Sequence, residues 1–492
     1  MNPMEDTIET ESFQRTLISK NSEVIKEVLE KDYRSLKDTD IAEYFLKWYS
    51  NSIFYNCDTR SYHIFDGKYY KIDSEALLIK SKIKDFLTEL VDYANNADAS
   101  KNYITKIYSF KEQRKIKAIA EAIKTERRKE DKDIDTDVYL FNCQNGILDL
   151  SGDKPKLINH SPKHLITQIS DVEYKPKLGE VTGEAKELLL SFFIGNEDVL
   201  NFMFEYLGVS LTGYAAIRKF IYAFGSGKNG KSTFFNFFLD KFFNNYGATI
   251  NYESFTKDRN HNGATSDLVR VMNKRLTVTN ESKDKLKLNT TLIKTITGGD
   301  HYQARLNYEN ERSFVPKFKI IMFGNNQLTI DDSSSGMIDR FIQVPFLNKF
   351  KGDKSQREIW DVLKANKSQI LNSLIAGYYR YIKNNCFNIP ETVKKESLNG
   401  FTAANNFIRF FTNNLKKVEG SNVKIKEVFG RYKKFIVDEE LSRKEILKRA
   451  DFINNLRSSG AVIFDDVFGV ATIKNYQLKD ENSLFEDDKS PI

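Results

Sequence analysis

The sequence predicts an α/β fold: a central α/β core, preceded by a smaller α+β domain and followed by a small helix–helix–hairpin domain. Three observations carry that expectation. The apolar run Lys219-Phe220-Ile221-Tyr222-Ala223-Phe224 leads straight into a glycine-rich stretch and then a long helical pattern. Further apolar strand patterns end at Glu281 and at Asn325, and another begins after Arg340. Outside this core, residues 52–72 alternate aromatic or β-branched with polar side chains, and residues 423–476 show two helical faces and then a hairpin.

Composition sets the outer limits. The chain has 492 residues, enough for two to four domains. Its hydrophobic fraction of 40% is spread along the length, so it is not a disordered chain. No apolar run is long enough to span a membrane, and the polar, acidic first ten residues do not resemble a secretory signal. Cys57, Cys143 and Cys386 stand far apart and form neither a zinc pattern nor a disulfide framework, which suits a reducing cytoplasm. The net charge of +7 is compatible with a polyanionic partner without requiring one.

The elements follow in order. Residues 1–50 read as a polar helical segment. The α+β domain is expected over 51–178: strands with a hairpin turn at Asp66-Gly67, helices over 74–93 and 111–129, and a strand–turn–strand over 138–150 with Asn145-Gly146 at the turn. The charge run 124–137 reads as a solvated helix end or linker; its alternating Asp133, Asp135 and Asp137 lack an apolar frame for a metal site. The core is expected over 184–350, a helical connector over 351–398, the terminal domain over 399–480 and a polar tail over 481–492.

The chemistry concentrates at Gly225-Ser226-Gly227-Lys228-Asn229-Gly230-Lys231-Ser232, followed by Thr233. This is G-x-x-x-x-G-K-[ST] between a strand and a helix, the P-loop context. Its glycines let backbone N–H groups wrap phosphates, and the helix start adds its positive end. Lys231 is expected on the β- and γ-phosphates and Ser232 on Mg²⁺. Glu281, after the strand pattern 275–279, is the candidate acid for the Mg²⁺ shell and for polarising water; the plainer alternative is a surface glutamate. Asn325 is a candidate to orient water without carrying charge. Arg340 is a candidate to reach a neighbouring subunit's γ-phosphate, against the alternative of an ordinary surface arginine.

Taken together, the ordered blocks 225–233, 275–281, 292–300 and 323–326, and then Arg340, resemble superfamily three helicases of the AAA+ class. The likeness is greatest to the helicase half of phage and plasmid primase–helicases. The resemblance implies an AAA+ P-loop core, ATP and Mg²⁺ as cofactors, and a hexameric ring moving 3′-to-5′ on single-stranded DNA as replication initiator of a mobile element. It implies catalytic roles for Lys231, Glu281, Asn325 and Arg340, with Lys294 as a second contact in trans. Relatives often carry two acids where this chain has Asn280-Glu281. The segment 298–314 matches a pore hairpin, with Arg305, Tyr308 and Arg312 as DNA-binding candidates and Glu309 where relatives often place a lysine. About 50 residues precede the first strands, too few for a primase, so priming is not expected.

In the terminal domain, Ile425, Val428, Phe429, Tyr432, Phe435 and Ile436 share one helical face, and Ile446, Ala450, Ile453 and Leu456 a second. Helix, helix, hairpin is the winged-helix order. Arg443, Lys444, Lys448, Arg449 and Arg457 decorate the second helix, suited either to a DNA groove or to a solvated protein-binding face. Expected partners are single- and double-stranded DNA, further copies of the chain and host replication proteins, with no membrane. The rival expectations are an origin-binding ATPase that assembles without unwinding, and a packaging or regulatory ATPase.

Overall fold

A computed structural model describes residues 23–50, 52–256, 266–279, 287–304, 312–350, 355–441 and 446–479. The chain divides into two compact units, residues 1–149 with 156–169, and residues 150–155 with 170–492.

The first unit is built on a four-stranded sheet, ordered Tyr70–Asp73, Ser61–Phe65, Ile53–Asn56, Arg128–Lys129. The first three strands are antiparallel, and Arg128–Lys129 adds on in parallel, pairing Tyr55 with Arg128. The hairpin at Asp66-Gly67 forms as expected: Asp66 Oδ1 accepts from the Lys68 and Tyr69 amides, and Gly67 takes φ +104°. Helix Leu77–Asn96 buries Ile79, Ile83, Phe86, Leu87, Leu90 and Ala94, one face at helical spacing. Helices Asp38–Trp48, Lys101–Ser109 and Gln113–Glu126 close the same core. Residues 24–48 therefore pack into this core and are not a segment apart. The charge run 124–137, read as helix end or linker, contains the edge strand Arg128–Lys129. A separate antiparallel sheet joins Leu140–Cys143, Gly146–Asp149 and Lys156–Ile158.

The second unit centres on a five-stranded, wholly parallel sheet. Its strands are β1 (Phe220–Phe224), β2 (Gly247–Thr249), β3 (Leu276–Thr279), β4 (Lys319–Gly324) and β5 (Phe341–Pro345). They lie in the order β5-β1-β4-β3-β2. A parallel sheet is covered on both faces, so its strands read as continuous apolar runs; β1 and β4 are buried almost throughout. After β1 the chain forms helix Lys231–Asn236 and then widens into a π-helix, Phe237–Phe243. The sequence pattern suggested one α-helix here. Phe234, Phe235, Phe237, Phe238, Phe242 and Phe243 are all buried, so no single stripe holds them, and the wider turn spreads the rings.

Helices Glu197–Val209 and Lys367–Asn384 cross with backbones touching. A Cβ on Gly208 would meet Leu374 O at 2.2 Å, and one on Gly377 would meet Phe204 O at 2.4 Å. Helix Glu391–Ala404 lies along β5: Ser397 Oγ accepts from the Gln343 amide at 2.9 Å, and Phe401 and Ala404 enter the sheet's core. This helix runs through residue 398, where a domain boundary was expected.

The C-terminal part has its own core, including Phe407, Phe410, Val428, Tyr432, Ile436, Phe452 and Leu456. Its order is helix Asn406–Asn414, strand Leu415–Lys424, helices Ile425–Asp438 and Arg449–Ser458, then strands Ile463–Asp465 and Ala471–Leu478. The three strands form one antiparallel sheet with Ala471–Leu478 central. The second helix starts at Arg449, so Ile446 precedes it and Lys448 is its N-cap. No described helix is long and apolar enough to cross a membrane.

Candidate nucleotide-binding site

The parallel register builds the site. Phe224 at the end of β1 pairs with Gly324 of β4 and with Pro345 of β5. The loop leaving β1 at Gly225 therefore emerges beside Asn325, the residue after β4. Lys231, the first residue of the following helix, is 6% exposed, and its Nζ donates to Gly225 O (2.6 Å), Asn229 Oδ1 (2.9 Å) and Asn325 Oδ1 (2.9 Å). A buried ammonium survives only with such partners. Asn229 also donates from Nδ2 to Phe346 O at 2.7 Å, which ties the loop to the exit of β5.

Glycine is needed at two points of the loop. A Cβ on Gly225 would lie 2.2 Å from both Asn229 Nδ2 and Phe346 O. Gly230 holds φ +79°, and a Cβ there would strike the rings of Phe192 and Phe350. Between them Ser226, Gly227 and Lys228 are exposed, and nothing stands within 4 Å of a Cβ built on Gly227. Ser232 is exposed and Thr233 half-buried; the Thr233 carbonyl accepts from Trp360 Nε1 at 3.0 Å. The loop thus brings together residues 225–233 and Asn325 around one buried cation. The described part of β3 runs to Thr279, and Asn280 and Glu281 lie outside the described residues.

Arg340 stands elsewhere. It precedes β5, whose Phe341 pairs with Phe220, and its carbonyl accepts from the Phe220 amide at 2.9 Å. Lys231 and Arg340 thus flank opposite ends of β1, whose five residues span about 13 Å. Arg340 Nε donates to Thr297 Oγ1 (3.1 Å) and Nη1 to Gly336 O (2.6 Å). Burial and then the neighbouring Arg218 lower its pKa from the usual guanidinium value. On the same side, Lys294 Nζ donates to Asp332 Oδ2 (2.5 Å) and Ser334 Oγ (2.9 Å). Burial opposes ionisation of Asp332, but hydrogen bonds from Lys294 and Ser334 outweigh it and hold its carboxyl below the usual range. Sequence reasoning did not single out Asp332, Ser334, Thr297 or Arg218: Thr297 sits inside the 292–300 block without being named, and the other three lie in irregular segments with no motif to mark them.

The hairpin expected over 298–314 is present as an antiparallel pair, Tyr302–Ala304 with Arg312–Phe314. Its tip, with Arg305 and Tyr308, and the Arg312 side chain lie outside the described residues, as do Arg443 and Lys444. Lys448 and Arg449 are exposed at the start of their helix. Among the described residues no cluster of three or more His, Cys, Asp or Glu side chains is placed to hold a metal.

Parts of the chain resemble known proteins. Residues 42–194 match the family model described as D5 N terminal like, and residues 223–340 match a family of unknown function (DUF5906). A protein of Acanthamoeba polyphaga mimivirus named as a helicase (L207/L206) is 25% identical over 222 residues, 44% of this chain. The match spans 23% of that viral protein's length. Among solved structures, the C-terminal region of NrS-1 (residues 305–718) is 12% identical, with a TM-score of 0.44 over 86% of this chain and 96% of that one. A second structure of the same region gives 0.41. The chain thus carries a D5 N terminal like region, and 222 of its residues align with a helicase-named viral protein.

Proposed function

We propose that the chain is an ATP-hydrolysing DNA helicase of the superfamily three, AAA+ type, acting as replication initiator of a phage, plasmid or similar element. The observation that carries this reading is Lys231, a buried cation at the start of the helix after β1, touching the loop and the Asn325 side chain of the neighbouring strand. A lysine so placed neutralises β- and γ-phosphate oxygens, and residues 226–228 of the same loop are exposed, leaving room for phosphates beside it. The open cradle at Gly227 and the Ser232 hydroxyl fit a Mg²⁺-bound triphosphate. Ser232 and Glu281 would hold Mg²⁺, which supplies charge neutralisation between the phosphates. Asn325 orients water, and Glu281 takes its proton.

Two further features support a ring. Arg340 and Lys231 flank opposite ends of one strand, so one protomer's Arg340 suits the neighbour's nucleotide in a head-to-tail assembly. The pair Tyr302–Ala304 and Arg312–Phe314 forms the base of a hairpin suited to gripping one DNA strand. The helix–strand–helix–helix–hairpin order of 406–478 supports a winged-helix reading of the terminal domain, with Lys448 and Arg449 toward DNA.

The test is a strand-displacement assay with the purified full chain, ATP and Mg²⁺. Wild type should unwind, and Lys231→Ala should lose ATP turnover by at least about a hundredfold together with unwinding. ATP turnover without strand displacement would favour the second reading, an origin-binding ATPase that assembles on DNA and leaves unwinding to another enzyme. No turnover in wild type would sink both.

A further inference from the structure

The first unit holds a cavity of about 470 Å³ lined by Tyr55, Cys57, Arg60, Lys124, Thr125 and Arg128. It lies where strand Ile53–Asn56, the turn after it, the end of helix Gln113–Glu126 and the edge strand Arg128–Lys129 meet. Three of its six lining side chains are cations, and none is a carboxylate. The parallel pairing of Tyr55 with Arg128 sets Arg128 across from the strand, and its Nε donates to Cys57 Sγ at 3.3 Å. Lys124 Nζ sits 4.9 Å over the Tyr55 ring. Two nearby acids tie the turn after strand Ile53–Asn56 to the segment after the edge strand: Asp58 Oδ2 accepts from the Asp131 amide at 2.8 Å, and Asp131 Oδ1 accepts from Asn56 Nδ2 at 2.7 Å. Glu121 lies 3.3 Å from Lys124 Nζ and is largely exposed, and Glu130 acts on Arg128 from beyond the edge strand.

A cavity lined by two arginines and a lysine, with no carboxylate among its lining residues, is a site for an anion. The size is that of a small-molecule or single-nucleotide pocket. Arginine forks match phosphate oxygens with paired donors, and a lysine adds a point charge. We infer that Arg60, Lys124 and Arg128 form a phosphate-binding site of the first unit, occupied by the backbone of a single-stranded nucleic acid. The cavity thus gives the chain a strand contact outside the α/β core. The inference rests on the helicase reading only for the choice of a nucleic-acid strand as the source of the phosphate.

The experiment uses the full chain without ATP and follows a labelled oligo-dT strand of about 20 nucleotides by fluorescence anisotropy across a salt series. The double variant Arg60→Gln with Arg128→Gln should weaken binding roughly tenfold at low salt and flatten the log–log salt slope by about 1.4, two single-strand phosphate contacts. Arg60→Gln alone, at an exposed turn position, should give a smaller change of the same sign, and it guards against misfolding of the double variant. ATP turnover measured without DNA should stay at the wild-type rate in both. Unchanged affinity and slope, with wild type binding the strand, overturn the inference and leave the helicase reading standing. No strand binding by wild type overturns both. Inorganic tripolyphosphate is titrated as competitor against a Lys231→Ala background, which disables the other phosphate site. If it displaces the strand from that background at micromolar concentration, the pocket belongs to free polyphosphate and the strand assignment fails.

Discussion

At the scale of single residues, the candidate site depends on what cannot be added as much as on what is present. Gly225 has no room for a methyl group, because Asn229 Nδ2 and Phe346 O both stand 2.2 Å from where it would go. Gly225→Ala should therefore push Asn229 off Phe346, cost about 1–3 kcal/mol of stability and lower kcat/KM for ATP at least about tenfold. Gly227→Ala, whose Cβ meets nothing within 4 Å, should melt like wild type. Equal melting temperatures for the two variants would remove the argument.

His63 gives a second residue-scale prediction. Burial pushes its pKa down to about 4, with Asp135 pulling weakly the other way, and its ring stacks on Phe54 at 4.6 Å. The folded form therefore keeps it neutral where the unfolded chain takes up a proton. Its contribution is complete above about pH 6.5 and is lost as pH falls from there toward 4, up to about 3 kcal/mol in all. His63→Phe keeps the stacking partner and should flatten the acid side of the melting curve; parallel wild-type and variant curves would refute the assignment.

Among the elements, helix Glu391–Ala404 decides where the chain can be cut. Phe401 and Ala404 belong to the core beneath the parallel sheet, and the Ala404 carbonyl accepts from the Ile330 amide at 2.9 Å. A truncation at about residue 395 removes that packing and should cost ATP turnover through loss of fold. Ending the chain after Asn405 keeps this helix and removes the separate core of 407–473. That shorter chain should retain DNA-independent ATP hydrolysis and lose most double-stranded DNA binding in a gel-shift assay. Full DNA binding by it would place the duplex contact elsewhere.

The same elements show what a sequence can and cannot reveal. The strands β1 and β4 were legible because a parallel strand buried on both faces is apolar throughout. Strand Leu415–Lys424 was not, because within Lys416-Lys417-Val418-Glu419-Gly420-Ser421-Asn422 no side chain is buried. The glycine-lysine loop announced itself by spacing, whereas the partnership of Asn325 with Lys231 follows from strand order, which no local pattern encodes. Glu281 rests on the sequence pattern and the resemblance, and Arg305 and Tyr308 on the resemblance, since all three lie outside the described residues.

For the whole molecule, the separation of Lys231 from Arg340 along β1 is the strongest constraint. On the proposed ring, an Arg340→Ala chain still supplies Lys231, and a Lys231→Ala chain still supplies Arg340. Each alone should be inactive, and an equimolar mixture should regain part of the wild-type ATP turnover, on the order of a quarter for random neighbours. A mixture as dead as its components would remove the support for catalysis in trans.

On the proposed ring, where Arg340 of one copy completes the pocket of the next, no chain can complete a turnover by folding more tightly. Specific activity is then a property of crowding: per-molecule turnover should fall on dilution, and a strand long enough to gather several copies should restore it.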